Sequence, residues 1–305
     1  AVDGLGLDDA GRAAIAGCDI FIHSAAIVSF DSPLDQAVEV NLLGPVRVAS
    51  VLTELGVAPH LVAVSTCYVA GSRRGRAPEE PVDASSFFVD VDWRGEVDAA
   101  RRIRLDTETE SRTPANLKAF RSEAHGELGA AGIPSLAAKT EQLRCRWVDD
   151  KMAEAGIARA GSLGFPDAYA YTKALGEMAL LETAGEIPVS IVRPSIIESA
   201  LAEPSPGWIR GFRMAEPVII SYARGLLKEF PGVPEGTIDI IPVDFVVAAI
   251  CAGGTHASKS SSGMPARFPA VSITEGTTAL TVIPESRVSS AITSVSASTP
   301  AFATE

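Results

Sequence analysis

No stretch of about 18 consecutive apolar residues occurs in this sequence, so no membrane-spanning helix is expected. No basic segment followed by an apolar one opens the chain, so no secretory signal is expected either. Positive charge is scarce: 26 Lys and Arg stand against 38 Asp and Glu, giving a net charge of -12 and a pI near 4.9. That balance argues against a general nucleic-acid binder, which needs a basic face. The four cysteines, Cys18, Cys67, Cys145 and Cys251, are scattered, with no CxxC pair and no Cys/His cluster. No metal site is expected, and the cysteines read as free thiols in a reducing cytoplasm. What is present is an ordinary globular composition, 47% apolar and 21% charged, over 305 residues.

The apolar pattern predicts alternating helices and strands. A short helix is expected over 8–17, a buried strand over Asp19-Ile-Phe-Ile-His-Ser-Ala-Ala26, and an amphipathic helix over 33–55. His60-Leu-Val-Ala-Val-Ser-Thr66, Val189-Ser-Ile-Val-Arg-Pro-Ser195 and the shorter Thr237-Ile-Asp-Ile-Ile-Pro-Val243 read as further strands. Such alternation predicts an α/β fold with a mainly parallel sheet covered on both faces. Ligands of such sheets sit beyond the carboxyl ends of the strands, so the loops after Ala26, Thr66 and Ser195 are where chemistry is expected.

Residues 88–160 are rich in Arg, Glu and Ala and read as two or three inserted helices. Arg101, Arg102 and Arg104 there form a basic cluster, either a solvated face or a dock for coenzyme phosphates. A helix is expected over Asp244–Cys251. Residues 252–305 are rich in Ser, Thr, Ala and Pro without clear periodicity, so disorder or poorly packed strands are expected.

Tyr169 and Lys173 stand four apart in Asp167-Ala-Tyr-Ala-Tyr-Thr-Lys-Ala-Leu-Gly-Glu177, so they are neighbours on one helix face. An ammonium one turn from a phenol is expected to lower the phenol's pKa and make it a better acid near neutrality.

Together the motifs resemble the extended short-chain dehydrogenase/reductase family, and more closely its fatty acyl-CoA reductase branch, the male sterility-type domain. His23-Ser-Ala-Ala26 is similar to the cofactor-side loop, Val40-Asn-Leu-Leu-Gly44 to the asparagine-bearing helix, and Val64-Ser-Thr-Cys-Tyr-Val-Ala-Gly71 to the strand end with the catalytic hydroxyl. Tyr169-Ala-Tyr-Thr-Lys-Ala-Leu-Gly-Glu-Met178 resembles the branch's catalytic helix. Arg193-Pro-Ser-Ile-Ile197, Glu203-Pro-Ser-Pro-Gly-Trp208 and Asp239-Ile-Ile-Pro-Val-Asp244 follow in the branch's order.

The resemblance implies NADPH-dependent reduction of a fatty acyl-CoA thioester to aldehyde or alcohol. It assigns Thr66, Tyr169, Lys173 and Asn41 to catalysis. It assigns His23, Ala25, Ala26, Ser65, Tyr169, Lys173, Pro194, Ser195 and Ile196 to cofactor binding. Asn41 is expected to position Lys173, Tyr68 and Tyr171 to pack, and Pro206-Gly207-Trp208 to form a turn with an aromatic anchor beside the acyl pocket. No acyl-cysteine is required, because Cys67 alternates away from Thr66 in an extended segment.

The family's glycine-rich dinucleotide turn is not found. Gly4-Leu-Gly-Leu-Asp-Asp-Ala-Gly11 has the wrong third spacing and no strand before it. The expectation is therefore an incomplete Rossmann-type doubly wound domain over 1–251, beginning after the first βαβ unit. It carries a helical insertion at about 88–160 and a smaller substrate-side region at about 196–243, followed by a tail over 252–305. Impaired activity of this chain alone is part of that expectation. Three other readings stay open: a carrier-protein thioester reductase, an extended dehydrogenase or epimerase acting on a sugar nucleotide or sterol, and a non-catalytic remnant. Cytoplasmic location is expected. Peripheral membrane contact stays open, since long acyl-CoA substrates partition to membranes.

Overall fold

The computed structural model describes residues 3–73, 75, 77, 79–84, 91–129, 135–211, 216–229, 238–258, 272–275 and 278–284. A 3-10 turn at Asp3–Gly6 leads into helix α1 (Asp9–Ala16), capped by the Asp8 carboxylate, which accepts from the Gly11 N–H at 2.8 Å. Strand β1 (Ile20–His23) follows. The helix expected over 33–55 is three pieces: α2 (Leu34–Ala37), a π-helical turn (Val38–Leu42) and α3 (Leu43–Glu54). After β2 (His60–Val64) come the three insertion helices, α4 (Trp93–Ser111), α5 (Pro114–Leu128) and α6 (Leu136–Ser162). Helix α7 (Ala168–Thr183) then delivers the chain to β3 (Val189–Arg193) and β4 (Ile196–Glu198). Helix α8 (Glu216–Ala223), β5 (Ile240–Pro242), α9 (Val243–Ser258), β6 (Ser272–Glu275) and β7 (Thr278–Pro284) complete the order.

Strands β1, β2 and β3 are parallel neighbours, with His23 level with Ala63 and Val64 level with Val192. Period-two alternation divides their side chains between two cores. Leu61, Ala63, Val189 and Ile191 pack with Leu52 and Leu180 of α3 and α7. Val62 and Val192 face the other way, onto Val246 and Ala249 of α9. The sheet is thus covered on both faces, as a Rossmann-type α/β fold requires. β7 adds to β3 antiparallel, and β6 to β7.

The insertion packs on α2, the π turn and α7 through Trp93, Val97, Val148 and Met152, with Leu34, Val38, Tyr171 and Ala174 on the other side. Its basic cluster is largely spent within the protein. Arg101 bonds Glu39, and Arg104 reaches Asp35, Asp149 and Glu108. The phosphate-dock reading of that cluster therefore loses two of its three guanidinium groups.

One expectation needs correction. The strand foreseen over 237–243 is shorter, with Thr237 outside the described residues, and it does not join the main sheet. It pairs instead with β4 in a separate two-stranded parallel sheet, Ile196 opposite Ile240 and Glu198 opposite Pro242. The physical cause is Pro194, which has no N–H to continue the ladder, so the chain leaves the main sheet and starts a new one. Within 252–305, α9 runs on to Ser258, and the Ile/Thr/Val-bearing runs 272–275 and 278–284 are strands, one of the two outcomes expected there. The rest of it lies outside the described residues.

Candidate active site

The parallel register brings the carboxyl ends of β1, β2 and β3 to one edge of the sheet. There the backbone pairing runs past the strands proper: Ser65 N–H donates to Val192 O at 2.7 Å and Cys67 N–H to Pro194 O at 3.0 Å. Ser65, Thr66 and Ser195 are buried at this edge, as is Pro194. Thr66 then caps a 3-10 turn over Cys67–Ala70, its hydroxyl accepting from Tyr68 N–H at 3.3 Å.

Helix α7 crosses this edge. Asp167 starts it, its carboxylate accepting from Ala170 N–H at 2.8 Å. Nearly every position from Ala168 to Leu180 is buried, so its apolar and small residues pack on all sides. Gly176 allows the closest approach: a Cβ there would lie 2.3 Å from the Asn41 carbonyl oxygen. The π turn carrying Asn41 thus lies directly against α7. Such turns place backbone and side chains where a regular helix cannot.

Tyr169 and Thr66 meet. The half-buried phenol lies near the Thr66 hydroxyl, and its ring stands edge-on to Phe30 with centroids 6.1 Å apart. Burial pushes the Tyr169 pKa up, the nearby Thr66 hydroxyl pulls against it, and Asp167, Cys67 and Tyr68 add to the rise.

The anticipated lowering by Lys173 is not what this geometry gives. The Lys173 ammonium donates to Val64 O at 2.7 Å and is itself buried, which depresses its pKa to about 8 against the opposing pull of Glu177. Its charge is directed at a strand carbonyl rather than at the phenol, and desolvation dominates at Tyr169.

Asn41 makes its direct bonds elsewhere. Its amide accepts from Ile27 N–H at 2.9 Å, donates to Ile27 O at 3.0 Å and reaches Thr172 Oγ1 at 3.2 Å. The side chain clamps the loop after β1 to α7, with no direct bond to Lys173. Both residues do line a small cavity of about 20 Å³, together with His23, Ser65 and Glu177. That is room for about one water.

His23 is pushed down to about 4 by burial and then by Lys173, so its imidazole is neutral near pH 7. A larger open cleft of about 510 Å³ runs from His23 along Ser24 and Ala25 to Gly44, Arg47 and the outer edge of β1. Ile22 of that edge is 50% exposed. Ala26 is half-buried in the same loop, just before the Ile27 clamp, and Ile196 is half-buried where β4 begins. Among the described residues, His23 Nε2, Ser65 Oγ and Ser195 Oγ are buried polar atoms without a protein partner. Buried polar groups are ordinarily satisfied. These three are therefore fitted to a polar ligand such as a nucleotide cofactor.

The chemistry available is that of a polarising pair, Thr66 and Tyr169, beside a buried cation. A thiol nucleophile is not on offer, because burial pushes Cys67 up to about 11, with Asp239 adding to the rise. Among the described residues no group of three or more His, Cys, Asp or Glu could hold a metal ion.

Comparison with known proteins settles the lineage. Residues 1–250 match the sequence profile of the male sterility protein family, an NAD-binding domain. The chain belongs to that family, the fatty acyl-CoA reductase branch of the extended short-chain dehydrogenases. Fatty acyl-CoA reductase 2, chloroplastic, of Arabidopsis thaliana is 32% identical over 252 residues, covering 81% of this chain and 36% of that protein. The alcohol-forming fatty acyl-CoA reductase of Simmondsia chinensis is 33% identical over 242 residues, covering 79% of this chain and 43% of that one. The chain thus spans less than half the length of these relatives. Among solved structures, the terminal R domain of the myxalamid PKS-NRPS pathway covers 82% of this chain and 43% of that one at 17% identity. Its TM-score of 0.45 is too slight to add to the assignment. The family's cofactor class is a nicotinamide dinucleotide.

Several residues of consequence were not singled out from sequence. Gly176 and Glu177 follow Lys173 on the family's helix motif, and Glu177 stands one turn from it, a signal available in the spacing. Asp244 gathers the N–H groups of Leu201, Ala202 and Glu203 at 3.1, 2.9 and 3.3 Å. Burial of Asp244 works against its charge, yet these donors win and lower its pKa. Tyr171 is buried as expected, and its hydroxyl donates to Glu96, which also pairs with Arg159. The 206–208 segment is the expected turn, with Trp208 N–H donating to Ser205 O at 3.0 Å. Trp208 itself is 44% exposed rather than anchored. Among the described residues no helix is long and apolar enough to cross a membrane.

Proposed function

We propose that this chain is the reductase portion of an NADPH-dependent fatty acyl-CoA reductase, acting on an acyl thioester. The observation that carries the reading is the gathering of Thr66 and Tyr169 near a buried Lys173 at the carboxyl ends of the strands, in a chain of this family. When bound, the nicotinamide supplies the hydride.

The chain's own residues do the rest. His23 Nε2, Ser65 Oγ and Ser195 Oγ meet the polar groups of the cofactor, and Ala25, Ala26, Pro194 and Ile196 shape the loops around it. Lys173 supplies a donor for its ribose hydroxyls. Thr66 and Tyr169 donate to the thioester carbonyl oxygen as negative charge grows there, in the manner of an oxyanion hole. Tyr169, held protonated by burial, passes its proton to that oxygen. The resulting hemithioacetal collapses to aldehyde and the free thiol of CoA. Asn41 acts at one remove by fixing the β1 loop against α7. Preference for NADPH over NADH, for CoA over a carrier-borne thioester, and for peripheral contact with lipid all belong to this proposal.

The test is acyl-dependent NADPH oxidation with palmitoyl-CoA, the same acyl group on a carrier phosphopantetheine, and a sugar nucleotide. Turnover of the CoA ester that falls about a hundredfold or more in Tyr169→Phe and Thr66→Val supports the reading. Preference for the carrier or sugar nucleotide would overturn the substrate, and unaltered turnover in both variants would overturn the site.

A further inference from the structure

Glu177 and Arg193 form an ion pair that is 4% and 7% exposed at its side chains. Arg193 Nε lies 3.0 and 3.2 Å from the two carboxylate oxygens and Nη2 lies 2.5 Å from one of them. Arg193 ends β3, and Glu177 lies on α7 one turn beyond Lys173. Burying two charges is costly, and hydrophobic residues of like volume commonly serve stability as well or better. A pair retained at this depth, one turn from a buried ammonium, calls for an explanation beyond tying a helix to a strand.

The surroundings of Lys173 supply one. From β1, His23 faces it as a neutral imidazole, and from β2 the Val64 carbonyl accepts its proton. Asn41 and Ser65 border the same small cavity and carry no charge. On its own helix stand Tyr169, a neutral phenol one turn before, and Glu177 one turn after. The Glu177 carboxylate is in turn bound by Arg193 through both of its oxygens. Glu177 is thus the one anion named around Lys173, and it also lines the cavity.

We propose that Glu177, clamped by Arg193, is a positioning residue that holds Lys173 as an ammonium in its buried seat. Arg193 takes up both carboxylate oxygens, which fixes Glu177 in place and keeps it from folding over Lys173 and capturing it. The ammonium stays free to donate to Val64 and to a ligand at the sheet edge. This role rests on the reductase reading for its purpose, but its physical content is independent of any turnover.

The experiment is NMR titration of Lys173 in the full chain labelled with ¹³Cε-lysine, its signal assigned with Lys173→Arg. Wild type is compared with Glu177→Gln, Glu177→Asp and the double variant Glu177→Gln/Arg193→Met, which removes both buried charges and guards against misfolding. The Lys173 midpoint is expected to fall by about one pH unit in Glu177→Gln, to fall less in the double variant because removing the Arg193 charge offsets part of the loss, and to return toward wild type in Glu177→Asp. An unmoved midpoint in folded Glu177→Gln, or a fall in the double variant as large as in Glu177→Gln, would overturn the proposal and leave the pair as a structural tie. NADPH oxidation measured on the same samples separates the two ideas. A shifted midpoint beside turnover that survives unchanged in Tyr169→Phe would sink the reductase reading alone.

Discussion

Lys173 opposes the charging of His23 across a cavity of about 20 Å³ that both side chains line. Burial contributes more, and together they bring the imidazole from 6.5 to about 4. The unfolded chain therefore holds the extra proton between those values. Stability is fully present above pH 6.5 and is lost as pH falls toward 4. The expected outcome is that His23→Gln flattens this part of the urea-midpoint-against-pH curve, by about 1–3 kcal/mol over the window once partial exposure is allowed for. Parallel curves for wild type and variant would contradict the assignment.

Asn41 satisfies both backbone groups of Ile27, so Asn41→Ala leaves a donor and an acceptor without partners. A loss of about 1–3 kcal/mol is expected. Hydrogen exchange at the Ile27 amide is the local check. It should quicken well beyond the change seen at amides of β2.

Two glycine-to-alanine substitutions should part company. At Gly176 a Cβ meets the Asn41 carbonyl at 2.3 Å, backbone against backbone, and α7 must move away from the π turn. A loss of about 3 kcal/mol or more in chemical denaturation is expected. At Gly253 the nearest atoms are 3.7 Å away on Ser190 and Val62, an ordinary contact. There alanine should stabilise α9 by about 0.5–1 kcal/mol.

Cys67 sits beside Thr66 with its thiol pushed up to about 11. Cys67→Ser is expected to keep turnover within about threefold of wild type, and iodoacetamide at pH 7.5 to label it far more slowly than the exposed Cys18. A hundredfold loss in Cys67→Ser would instead point to covalent catalysis.

The parallel strands were legible because their apolar runs are short, bounded and separated by helical patterns. The Tyr169 helix was legible from its four-residue spacing and its motif. The electrostatics were not. A four-residue spacing says that Tyr169 and Lys173 are neighbours, yet it does not say that Val64 O takes the ammonium or that burial outweighs its charge at the phenol. The pairing of β4 with β5 was hidden for a similar reason, since strand propensity in 237–243 carries no information about its partner. The π turn was invisible too: 33–55 has a continuous helical pattern, and the extra residue that turns Asn41 toward Ile27 is set by contact with Gly176.

Pro194 marks where the chain leaves the main ladder, to which only β7 and β6 later return. Upstream of it, β1, β2 and β3 share one ladder, so a change at any of their ends is felt by the others. Downstream, the chain from Ile196 to Pro242 closes on itself through its own small sheet and is moored at Asp244. The described residues there are tied by Ile196–Ile240 pairing and by Asp244 rather than by the main ladder, so substitutions within Leu201–Glu203 should spare β1, β2 and β3 as long as Asp244 is kept.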